Sequence, residues 1–229
     1  MPTRAWLEAA VLTRPPRLLH PLLPGCEWTG PRHAPSGAPT IYLTFDDGPI
    51  PDETPWVLEQ LALFGARATF FCVGQNLERY PGIGRAALAA GHRLANHTHH
   101  HRSAWAMGRA SYLADVAECQ GILGELEGVE AAPASRAARP LFRPPYGRLT
   151  WPVLRKLRAD YRVIMWSVLT RDYNPGLSPE NCLRYTLATV RPGDVLVFHD
   201  SQKASARLRY VLPRVLAHLA GQGYQFATL

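Results

Sequence analysis

From residue 40 onward, short apolar runs alternate with stretches whose apolar residues recur at helical spacing. The runs at 41–45, 68–73, 92–95, 141–143, 162–167, 194–198 and 224–228 read as strands. Between them, residues 53–64, the stretch up to 90, and 110–126, 151–159, 179–190 and 206–220 carry helical patterns. Seven strands separated by helices imply a parallel sheet, because parallel neighbours need crossover connections and helices supply them. The class is therefore α/β, and periodicity leaves open whether the sheet closes into a barrel. In either case the carboxyl ends of the strands share one rim, where α/β active sites are built.

Residues 1–38 break this alternation. They hold a short helical pattern at 5–12 and then Pro15, Pro16, Pro21, Pro24, Pro31 and Pro35, so they read as an arm over a domain spanning 39–229. The stretch 124–139 is rich in Ala, Gly and Pro and reads as a surface connection.

Composition narrows the function classes. With 229 residues and 47% hydrophobic content, one well-buried domain is expected. The net charge of +7 raises the question of nucleic acid, but the excess is scattered arginine, Lys156 and Lys203 are the sole lysines, and no basic run occurs. A solvated basic surface with no nucleic-acid partner follows. Cys26, Cys72, Cys119 and Cys182 are too widely spaced for a C-x-x-C pair and predict no disulfide. Glu8, Arg14 and Arg17 interrupt the early apolar runs, and no later run has the length of a bilayer span. The sequence therefore reads as soluble and cytoplasmic, without a transmembrane segment.

The chemistry lies on the rim. The first strand ends in Thr44-Phe45-Asp46-Asp47-Gly48-Pro49, and two adjacent carboxylates at the end of a buried strand call for a compensating cation. After the third strand comes Asn96-His97-Thr98-His99-His100-His101. His97 and His101, at i and i+4, converge on one metal ion if the backbone makes a helical turn, with Asp47 as third ligand. His99 and His100 point elsewhere on such a turn. Three nitrogen and oxygen ligands leave open positions on a divalent metal ion; zinc is the first assignment, with cobalt, nickel and manganese compatible. Asp46 is then free to take a proton from water. In Arg143-Pro144-Pro145-Tyr146-Gly147 a guanidinium adjoins two prolines that restrict the backbone and can aim the Tyr146 N–H. Asp172, and His199 with Asp200, complete the rim.

Together, Thr44 to Pro49, His97-Thr98 with His101, Arg143 to Gly147 and Leu196-Val197-Phe198-His199 resemble the polysaccharide deacetylases, the carbohydrate esterase family with the NodB-homology domain. The resemblance runs from about Pro39 to Leu229 and implies a distorted (β/α) barrel of about seven parallel strands. By resemblance, Asp46 is the catalytic base, Asp47, His97 and His101 hold the metal, and Arg143 orients Asp46. Pro145 and Tyr146 belong to the substrate-binding loop, with the Tyr146 N–H as oxyanion donor. His199 is the general acid, tethered by Asp172, and Leu196 lines the acetyl pocket. One motif departs from the family pattern: Leu169 stands where an acid is frequent and Tyr173 where a tryptophan is expected, so Tyr173 is left to wall the pocket.

The activity implied is metal-dependent hydrolysis of N-acetyl groups on amino-sugar oligo- or polysaccharides. An O-acetyl esterase on acetylated polysaccharide and a catalytically silent carbohydrate-binding protein are the alternatives.

Overall fold

The computed structural model describes residues 13–128 and 139–229. The expected helix at 5–12 and most of the expected surface connection lie outside them. Beyond a 3-10 turn at Arg17–Leu22, the chain runs β1 (Thr40–Asp46), α1 (Thr54–Leu63), β2 (Ala68–Cys72), α2 (Gly74–Arg79), α3 (Pro81–Ala89) and β3 (Arg93–Asn96). It continues through α4 (Arg109–Glu127), β4 (Leu141–Phe142), a 3-10 turn at Pro145–Gly147, α5 (Trp151–Asp160), β5 (Arg162–Val163) and β6 (Val168–Leu169). It closes with α6 (Pro179–Thr189), β7 (Val195–His199), α7 (Ser205–Gly221) and β8 (Gln225–Phe226). Residue 128, just beyond the expected end of the helical pattern at 110–126, is a glycine with φ of 67°, the left-handed conformation that stops a helix.

The strands pair in the order β5-β4-β3-β2-β1-β7-β6, with β8 on β1, and every pairing between them is parallel. Of the run expected as a strand at 162–167 only Arg162–Val163 is strand, a separate strand follows it at Val168–Leu169, and these two form the opposite edges of this path. Val163 and Val168 are five residues apart, so their Cα atoms lie within about 18 Å. Seven strands laid flat would hold those edges about 29 Å apart. The sheet therefore has to curl into a distorted barrel, and the bridging residues change partners as it does so. Ile164 N–H donates to Phe142 O, Met165 N–H to Glu27 O and Ser167 N–H to Val195 O. Glu27 N–H in turn reaches Val163 O, and Gly30 N–H reaches Gly193 O, so residues before β1 are stitched into the barrel wall at its seam.

Alternate residues of β1 face opposite sides. Ile41, Leu43 and Phe45 enter the core shared with Val57, Leu61, Leu208 and Leu212 of α1 and α7. Tyr42 faces the barrel interior with Phe71, Ala95, Ile164 and Val195. Thr44 and Asp46 follow Tyr42 on that inner face, which delivers a carboxylate to the carboxyl rim. In register, Asp46 lies beside Phe71 of β2 and His199 of β7. The four cysteines are free, and no helix among the described residues is long and apolar enough to cross a membrane.

Candidate active site and metal centre

The adjacent acids at the end of β1 take separate partners. Asp46 Oδ1 accepts from Arg143 Nη1 at 2.6 Å. Arg143 is wholly buried, and the rest of its fork is also engaged: Nη1 donates to Thr44 Oγ1 at 2.8 Å and Nη2 to Met165 O at 3.0 Å. Its guanidinium lies over the Phe71 ring, 4.0 Å from the centroid. Burial lowers the Arg143 pKa and the Asp46 charge opposes that fall. Asp46 Oδ2 stands 3.9 Å from His97 Nε2, beside the imidazoles.

Asp47 turns the other way through a left-handed backbone, φ 82°. Its Oδ1 lies 3.1 Å from His101 Nε2 and 3.8 Å from His97 Nε2. Burial favours its neutral form, yet the hydrogen bond from His101 and the charges of His199, His97 and His101 hold it well below the usual carboxylate range. His97 Nδ1 must donate to Arg143 O, 2.8 Å away, which leaves Nε2 with its lone pair toward Asp47. Burial, outweighing the attraction of Asp46, brings the His97 pKa down to about 4 and keeps the ring neutral, as a metal ligand must be.

These donors fit a divalent ion. Ligand atoms about 2.0–2.2 Å from a tetrahedral zinc are roughly 3.4 Å from one another, and the three side chains present atoms all within 4.8 Å of each other. The convergence does not come from the expected helical turn. Residues 97–101 form bends with left-handed backbone at Thr98 and His101, φ 67° and 53°. Asn96 Oδ1 accepts the Thr98 N–H, and Asp115 Oδ2 of α4 accepts those of His99 and His100.

The other expected residues divide. His199 Nδ1 meets Asp172 Oδ1 at 2.8 Å, and the His199 N–H donates to Asp172 Oδ2 at 2.8 Å. Burial disfavours the His199 cation, but the charge and hydrogen bond of Asp172, with Asp47 and Asp46 beyond, raise its pKa to about 9. The Tyr173 ring stands edge-on to His199 with centroids 4.9 Å apart. Tyr146, φ 61°, is exposed, and its ring lies 4.9 Å from that of His101, with Pro145 buried before it. Leu196 is not brought to the mouth. It pairs with Leu43 and is buried in the sheet-to-helix core, while Val197 takes the inward register beside Thr44.

Asp115 was missed as a site-building residue, and Asp200, placed on the rim by the sequence, was given no role there. Asp115 shares a helix face with Tyr112, Val116 and Cys119, and an acid on a core-facing stripe is itself a signal. Asp200 is fully buried and takes the Gly48 N–H on Oδ1 and the Thr54 hydroxyl on Oδ2, so it shapes the turn after Asp47. All five non-glycine residues with positive φ among the described residues, Asp47, Thr98, His101, Tyr146 and Arg171, lie in loops of this mouth. Such conformations cost about 1–3 kcal/mol each and persist where their surroundings enforce them.

A parallel barrel with a carboxylate, a two-histidine and one-aspartate set and a tethered histidine at its mouth has the side chains that a divalent-metal hydrolase uses. The family model for polysaccharide deacetylase matches residues 33–163, and the chain belongs to that family. A peptidoglycan-N-acetylglucosamine deacetylase of Bacillus cereus is 31% identical over 199 residues, covering 85% of this chain and 88% of that one. A chitooligosaccharide deacetylase of Sinorhizobium fredii is 39% identical over 172 residues, covering 72% and 74%. The crystal structure of a peptidoglycan N-acetylglucosamine deacetylase superposes with a TM-score of 0.76 at 28% identity, covering 88% of this chain and 89% of that one.

Proposed function

We propose that this protein hydrolyses N-acetyl groups of amino-sugar oligo- or polysaccharides, the substrate class in the names of its relatives. The observation that carries the reading is the division of labour between Asp46 and Asp47, one held by Arg143 and the other turned to His97 and His101. Asp47, His97 and His101 would hold the metal, zinc by preference for a set of two imidazoles and one carboxylate. When bound, a divalent ion there supplies Lewis acidity toward the acetamide carbonyl and makes water more acidic.

The protein's own groups supply the rest. Arg143 fixes Asp46 by Oδ1, leaving Oδ2 to accept a proton from the attacking water. Asp172 accepts the hydrogen bond from His199 Nδ1–H and holds the ring as imidazolium, so Nε2–H can deliver its proton to the departing nitrogen, a leaving group that does not depart as an anion. The Tyr146 N–H, in a strained turn beside His101, is assigned to the oxyanion, and Tyr173 to the wall of the acetyl pocket.

The test is acetate release from N-acetylglucosamine oligomers and from acetylated xylan, after chelation and with zinc added back. Zinc-restored release from the amino-sugar oligomers is expected. Release from xylan alone would make the protein an O-acetyl esterase, and release from neither would leave a carbohydrate-binding barrel.

A further inference from the structure

The loop that carries His97 and His101 presents two more imidazoles to its outer side. His99 is only 4% exposed, and its Nδ1 is buried without a hydrogen-bond partner. The ring is wedged against α2 so closely that a Cβ at Gly74 would stand 2.5 Å from Nδ1. Its Nε2 lies 3.6 Å from Glu118 Oε1 and 3.7 Å from Glu78 Oε2, near both carboxylates but beyond hydrogen-bond length. A buried imidazole with neither nitrogen hydrogen-bonded is uncommon.

His100 is prepared differently. Its Nδ1 meets Asp115 Oδ1, and a carboxylate acceptor there fixes the ring so that Nε2 is the free donor atom. Metal-binding histidines are oriented in this way by a carboxylate behind them. The rings of His99 and His100 are 4.5 Å apart, and ligand atoms of His99, His100 and Glu118 all fall within 4.8 Å of one another. The spacing from His99 Nε2 to each glutamate oxygen is close to the roughly 3.4 Å expected of two donors sharing one tetrahedral ion.

We propose that His99, His100 and Glu118, with Glu78 able to join, form a second divalent transition-metal site on the outer side of the ligand loop. Two imidazoles and a carboxylate suit zinc and its borderline neighbours better than magnesium or calcium. The site joins α2, α4 and the loop, so its occupation would brace the segment that presents His97 and His101.

The experiment counts zinc on the full-length chain. Protein stripped by chelation is titrated calorimetrically with Zn²⁺, and zinc retained after desalting is measured by mass spectrometry. Two ions per chain are expected for the wild type and one for His100→Gln combined with Glu118→Gln. Glu118 is exposed, His100 partly so, and the glutamine amide at position 100 can still donate to Asp115, so the replacements leave the fold in place. Asp47→Asn should keep the second ion. A wild type that takes one ion and keeps it in the double variant overturns this site while sparing the one at the mouth. Two ions with unchanged affinities in the double variant overturn it as well. A single ion that is lost in the double variant and kept in Asp47→Asn supports it and removes the mouth assignment instead.

Discussion

Arg143 Nη1 sits 2.6 Å from Asp46 Oδ1, a charged pair with both partners buried at the end of β1. Because one oxygen is committed to the guanidinium, the other is presented to the mouth in a fixed direction. Asp46→Asn preserves the shape and an acceptor for Arg143 but cannot take up a proton. Metal content should be unchanged and acetate release lost. Arg143→Met leaves Asp46 a buried charge without its partner and should lower stability by about 3–5 kcal/mol, read from denaturant unfolding. An Asp46→Asn variant that still turns over removes that residue as the base.

The pKa of His199, raised to about 9 chiefly by Asp172 against the effect of burial, keeps the imidazole protonated through neutral pH. A cation bound by Asp47 would offset the contributions of the mouth carboxylates, leaving Asp172 as the partner that matters. Turnover should therefore hold into the alkaline range and fall on approach to pH 9. In Asp172→Asn the alkaline limb should move toward the free imidazole value, about 6.5. His199→Ala should lose about 10²–10⁴-fold in kcat with little loss of metal. An alkaline limb that stays put in Asp172→Asn would assign it to another group.

Asp200 makes a separate prediction. Burial, assisted by the charge of Asp47 and opposed by the Thr54 hydrogen bond, pushes its pKa up to about 8, so the carboxyl is neutral at pH 7. Asp200→Asn can keep the Gly48 N–H on its oxygen and donate from its NH2 to Thr54 Oγ1, as the neutral acid would from its O–H, and should retain stability and activity. Asp200→Ala strands the Gly48 N–H and should cost about 1–3 kcal/mol, measured by thermal melting. Equal losses in the two variants would show that the charged form is required.

Away from the mouth, His92 Nδ1 accepts the Ala68 N–H, and burial with the nearby Arg67 lowers the His92 pKa to about 4. The unfolded chain takes up this proton near pH 6.5 and the folded chain only near 4. Stability from this group is thus fully present above about pH 6.5 and declines as the pH falls toward 4, by a total on the order of 3 kcal/mol. His92→Gln should narrow the gap between melting temperatures at pH 7 and pH 4.5. An unchanged gap would place the acid sensitivity elsewhere.

The sequence made the alternation of strands and helices legible because each apolar run is bounded by turn residues and followed by a helical pattern. The same legibility put Asp46, Asp47, His97, His199 and Arg143 on one rim. That the strand stops at Val163 and another begins at Val168 was hidden, since Val163, Ile164, Met165 and Trp166 are all apolar and only long-range partners reveal where the chain changes sides. Leu196 was misplaced for a related reason. In Val195-Leu196-Val197-Phe198 no polar residue marks which face is inward, and only the register against Leu43 and Thr44 fixes it. Nor does spacing alone separate a helical turn from a left-handed bend at His97 to His101. The buried Asp115 that props the bend lies fourteen residues beyond its last histidine.

The seam of the barrel ties the first acid of β1 to residues that precede the stretch matched at 33–163. Glu27 clasps Val163 and Met165 through its backbone, Met165 lends its carbonyl to Arg143, and Arg143 steadies Asp46. Removing the residues that precede 33 would therefore pull a prop from beneath the proposed proton acceptor, although every residue assigned to the metal, the acetyl group and the leaving amine would remain.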